Sequence, residues 1–76
     1  MSVAKDSKGN EYVDVGNIRI TAIPKTWDKG KPGVRIQAYK GKGDALFQGA
    51  EIPIPDRQTA FELMKGMFKA LERIGL

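Results

Sequence analysis

Residues 56–74 read as one helix with an apolar face wider than the rest of the chain can use. At about 100° per residue, Ala60, Phe61, Leu63, Met64, Met67, Phe68, Ala70, Leu71 and Ile74 fill an arc of about 180°. Glu62, Lys65, Gly66, Lys69, Glu72 and Arg73 fill the other half. A helix lying on one small sheet needs a stripe of only about 100°. The surplus must be covered, and in a chain of 76 residues the nearest cover is a second copy of the same helix. Phe61, Met64, Met67, Phe68 and Leu71 are the expected dimer interface. Asp56 is placed to cap the first turn, and its charge suits the positive end of the helix. Gly66 costs about 1 kcal/mol relative to alanine there. No local feature explains it.

Other means of support are missing. A chain this short buries only about 60–65% of its unfolded surface and is marginal alone. It contains no cysteine and no histidine, so disulfides and the commonest zinc sites are excluded. Oligomerisation remains. No apolar run approaches the roughly 20 residues of a membrane span. The opening Met-Ser-Val-Ala-Lys-Asp-Ser-Lys is too polar for a signal peptide. These features lead us to expect a cytoplasmic protein, with nucleoid association left open.

Ahead of the helix the pattern changes to period two. Residues 1–10 read as a flexible tail ending in the turn Ser7-Lys8-Gly9-Asn10. Residues 11–76 form the single domain. Its four expected strands cover 11–15, 18–24, 34–40 and 45–54, the last broken by a bulge near Gly49. Gly16-Asn17 marks a two-residue hairpin turn. Val13, Val15, Ile18, Ile20, Ala22, Val34, Ile36, Ala38, Ile52 and Ile54 share one side, where the helix is expected to lie. The fold class is α+β: a four-stranded antiparallel meander followed by one C-terminal helix, dimerising through that helix.

The opposite face carries Tyr12, Arg19, Thr21, Ile23, Arg35, Gln37, Tyr39 and Phe47. Charge is concentrated in the same part of the chain. Residues 16–44 hold seven basic and two acidic side chains, net +5, whereas residues 45–76 balance four against four. Aromatic rings stack nucleobases at about 1–3 kcal/mol each, and Arg and Lys pair with phosphates and release counterions. The candidate nucleic-acid-binding residues are therefore Arg19, Lys25, Trp27, Lys29, Lys31, Arg35, Gln37, Tyr39, Lys40, Lys42 and Phe47. Arg19, Arg35, Lys40 and Lys42 are assigned to phosphates, and Tyr39, Phe47 and Trp27 to bases. The same residues have a structural reading. Aromatics fit any pleated surface, Tyr39 and Phe47 can pair across strands, and Trp27 can plug a core edge. A protein-interaction module with no nucleic-acid ligand is the alternative function.

Catalytic chemistry finds little to work with. There is no histidine or cysteine, the only serines are Ser2 and Ser7 in the tail, and the carboxylates are scattered. Gly41-Lys42-Gly43-Asp44 has no following helix and no Gly-Lys-Ser/Thr, so it reads as a hairpin turn rather than a phosphate loop. We expect neither an enzyme nor a bound cofactor or metal.

Three consecutive elements carry a family likeness. Val34-Arg35-Ile36-Gln37-Ala38-Tyr39 is a strand of apolar and polar residues ending in an aromatic. Lys40-Gly41-Lys42-Gly43-Asp44 is a basic turn, and Glu51-Ile52-Pro53-Ile54-Pro55-Asp56 leads from strand to helix. In this order they resemble the single-stranded-DNA-binding domain of the positive cofactor four type transcriptional coactivators. The likeness covers about half the chain. It implies four antiparallel strands, a helix-mediated dimer and single-stranded DNA as ligand, with contacts at Tyr39, Lys40 and Lys42. Two positions depart from the family: Gln37 stands where it has arginine, and Ala50-Glu51 where it has Lys-Gly. Both lower the positive charge of the implied surface.

Overall fold

In the computed structural model, residues 1–41 and 45–76 are described. Five strands, β1 Ala4–Lys5, β2 Glu11–Val15, β3 Ile18–Ile23, β4 Gly33–Ala38 and β5 Ala50–Pro53, form one antiparallel sheet in chain order. One helix, α1 Arg57–Glu72, follows. The α+β class and the meander agree with the sequence reading, with one strand more than expected.

The extra strand lies in the supposed tail. Ala4 and Lys5 pair with Tyr12 and Glu11. The cause is Asp6. Its Oδ1 accepts from the Lys8 and Asn10 amides, both at 2.9 Å. Its own amide donates to the Asn10 carbonyl at 2.9 Å. This Asx turn reverses the chain. The Asn10 hydrogen bonds also hold the Asp6 carboxyl below its ordinary pKa, with Lys8 helping.

The remaining links follow their residues. Val15 pairs with Ile18 across Gly16-Asn17, and Gly16 has φ 58°, as the first central residue of a type II′ turn requires. The bulge is where it was expected. Tyr39 faces Leu46 and Ile36 faces Ala50, so two residues of one strand oppose three of the other. A Cβ at Gly49 would strike the Ile36 carbonyl and the Gln37 side chain. Only glycine allows that approach. The bulge also puts Leu46 on the Tyr39 face rather than with Ile52, and it corrects the expected place of Phe47, which alternates away from Tyr39 and lies beside Lys40.

Register confirms the division of the sheet. Val13 pairs with Ile20, Ile20 with Ile36, Ala22 with Val34, and Val34 with Ile52, all on one face. Tyr12 pairs with Thr21, Thr21 with Arg35, Arg19 with Gln37, and Arg35 with Glu51, all on the other.

The helix begins as expected. Asp56 Oδ1 accepts from the Thr59 amide at 2.7 Å and from the Thr59 hydroxyl at 2.8 Å. Its position, however, corrects the sequence reading. Alpha1 does not lie on its own sheet. Thr59 and Ala60 are half-buried, and every residue from Phe61 onward is exposed. Phe61, Met64, Met67, Phe68 and Leu71 are between 38% and 66% exposed. The route into the helix explains this. Pro53 and Pro55 fix their own φ and force Ile52 and Ile54 to be extended, so the chain leaves β5 stiffly. The core is correspondingly small, and it sits on the polar face. Among the described residues Thr21, Ile23 and Thr26 are the buried ones, at the β3–β4 end of the sheet.

Candidate functional site

The loop between β3 and β4 closes that end of the polar face. Its hydrogen bonds are mostly internal. Thr26 donates to Lys31 at 2.8 Å, Gly30 to Thr26 at 3.2 Å, and Lys31 to Asp28 at 3.0 Å. Lys29 and Gly30 turn at positive φ, 54° and 73°. The loop folds back so that the Thr26 methyl faces Gly33, which has no side chain to obstruct it. Trp27 follows, and its indole N–H donates to the Glu51 carbonyl at 3.0 Å. This bond fixes the ring over the β5 edge and leaves it 72% exposed. Thr21 and Ile23 are thereby removed from the open face.

Beyond the loop the face is a lattice of paired polar groups. Arg35 Nη2 donates to Glu51 Oε2 at 2.9 Å. Gln37 Nε2 donates to the Phe47 carbonyl at 3.2 Å, holding the bulge strand. Arg35, Gln37, Gln48, Gly49 and Glu51 line a shallow polar cleft. Phe47 is 55% exposed, and Lys40 Nζ lies 5.2 Å from its ring centroid.

A second cluster lies on the β2 side. The Arg19 guanidinium stacks 3.8 Å from the Tyr12 ring centroid and 5.3 Å from that of Tyr39. Arg19 Nε donates to Asp14 Oδ1 at 3.3 Å, and Nη2 donates to the Tyr39 hydroxyl. That hydroxyl donates in turn to Asp14 Oδ2 at 3.1 Å. Desolvation works against the Arg19 charge, but the bonds to Tyr39 and Asp14 outweigh it and raise its pKa above the ordinary value.

The sequence-nominated residues thus divide by role. Arg19, Arg35, Gln37 and Tyr39 lie on one face as expected, but each is hydrogen-bonded within the chain. Trp27 and Phe47 present accessible rings. Lys31 pairs with Asp28 at 3.6 Å. Lys25, Lys29 and Lys40 have exposed side chains with no ion-pair partner among the described residues. Lys42 lies outside the described residues. Sequence reading missed Asp14 and Glu51 as partners. Their signal was positional: each sits directly across the ladder from its arginine.

Among the described residues no group of three or more acidic side chains converges as metal ligands would, and no helix is long and apolar enough to cross a membrane. Comparisons with protein-family models, curated proteins and solved structures found no match.

Proposed function

We propose that this protein binds single-stranded nucleic acid with little sequence preference, working as a homodimer and without catalysis. One observation carries the reading. Two accessible aromatic rings lie at the β5 side of the sheet: Trp27, whose indole N–H is bonded to the Glu51 carbonyl, and Phe47, whose ring has Lys40 beside it. Bases splayed from a single strand would stack on these rings. Lys25, Lys29 and Lys40 would meet the phosphates. Arg19 and Arg35 contribute differently from the sequence expectation. Asp14 and Glu51 already hold their charges, so they stiffen the platform and offer remaining N–H groups rather than full countercharge. The resemblance of residues 34–56 to the coactivator domain points the same way.

Fluorescence anisotropy of labelled single-stranded DNA, single-stranded RNA and duplex across a salt series tests this. Single strands are expected to bind best, with log affinity falling linearly against log salt. No binding at low salt, or an affinity indifferent to salt, would sink the proposal.

A further inference from the structure

Each chain leaves two apolar surfaces bare. One is the α1 arc. The other is the sheet face holding Val13, Ile20, Ala22, Val34, Ile36 and Ile52, none of which is buried. The amount of uncovered surface is measurable. The chain exposes 6087 Å², whereas a folded monomer of its mass exposes about 4,600 Å². Its radius of gyration is 13.5 Å, against about 11.4 Å for a compact domain of this length. The excess, about 1,500 Å² per chain, would amount to about 3,000 Å² in a pair, within the range of obligate dimers.

We infer that two copies exchange helices, α1 of each packing across the apolar sheet face of the other. Three features select this arrangement and this occupant. A helix-to-helix seam alone would cover the arcs and leave both sheet faces in water. Reciprocal exchange covers both surfaces with one self-complementary contact, as two-fold symmetry requires. The arc of about 180° then divides: about 100° faces the partner's sheet, and the remainder meets the partner's helix near the axis. The hinge also favours exchange. Pro53-Ile54-Pro55 is short and stiff, and the Ile54 amide is tied to the Pro32 carbonyl at 2.8 Å, so the helix is held away from its own sheet. Finally, α1 carries three basic and two acidic side chains, so like charge hardly opposes close approach of two copies.

The absence of native cysteine makes the test clean. A tagged Ala22→Cys chain and an untagged Met67→Cys chain are refolded together and oxidised, and light scattering is run on the wild type. Exchange predicts twice the chain mass and a tagged–untagged disulfide product in high yield. Three results would overturn it: a monomer up to the highest soluble concentration, cross-linking only within a single Ala22→Cys/Met67→Cys double-variant chain, or cross-linking only between two Met67→Cys chains. The readout is independent of any nucleic acid.

Discussion

On one face of the sheet, Thr21 and Ile23 are buried beneath the chain's own loop; between them in sequence, Ala22 is exposed on the other face. Both faces come from the same strands and the same hydrogen-bonded ladder. They differ in what the chain has available to cover them. The β3–β4 connection is long enough to fold back, bond to itself and anchor Trp27 on Glu51. The polar face is further closed by pairs such as Arg35–Glu51, which need no partner. The apolar face has only α1 as a cover, and the two prolines direct α1 elsewhere. The more hydrophobic face is therefore the less buried one. Alternation shows which residues share a face, but burial depends on whether some other segment can reach that face.

The largest expected effect comes from the bare side. Phe68→Glu puts a charge on the apolar arc of α1 and is expected to abolish the folded dimer, seen as monomeric or unfolded protein in gel filtration. A folded Phe68→Glu dimer would show that the arc is not an interface. On the closed face, Ile23→Ala should cost about 2–4 kcal/mol in a urea melt, because it hollows the small core. An effect near zero would mean that the loop does not seal this end. Ala22→Lys, one residue away, should lower dimer stability by about 2–3 kcal/mol if that face is covered in solution. If it leaves mass and melting unchanged, the apolar face is bare and the contrast between the faces is real in solution too. Trp27→Ala should weaken oligonucleotide binding by about 1–3 kcal/mol while leaving the dimer intact.

The smallest effect lies at the helix start. The amide and hydroxyl of Thr59 hold the Asp56 carboxyl below its ordinary pKa of 3.8. The sign follows from that direction. This contribution is present above the unfolded-state pKa and is lost as pH falls through the lower folded-state value. Asp56→Ala should lower Tm by a few degrees at neutral pH, and the difference from wild type should vanish in strong acid. A difference that persists there would assign the effect to something other than the cap.

Several elements were legible in the residues because their causes are local. The period of two in residues 11–38 puts Ile20 and Ile36 on one face and Arg19 and Gln37 on the other, because side chains alternate along any strand. Gly16 takes the positive φ that its turn demands, and Asp56 caps the helix within three residues of itself. The bulge at Gly49 was legible for the same reason. The short β1 strand was not, since Ala4 and Lys5 have little strand preference and owe their pairing to the Asp6 turn. The engagement of Arg19 and Arg35 was not legible either. It depends on register, which brings Asp14 and Glu51 opposite them from other strands.

The sequence by itself determined strands β2 to β4 and the helix, which of their residues share a face, and how wide the helix's apolar arc must be. These follow from the backbone's fixed periods and from caps and turns that act over a few residues. Only the tertiary structure decided where the covered face lies and where the helix goes. Those depend on the direction the chain takes after Pro53 and Pro55 and on the reach of one loop, and no periodicity encodes either.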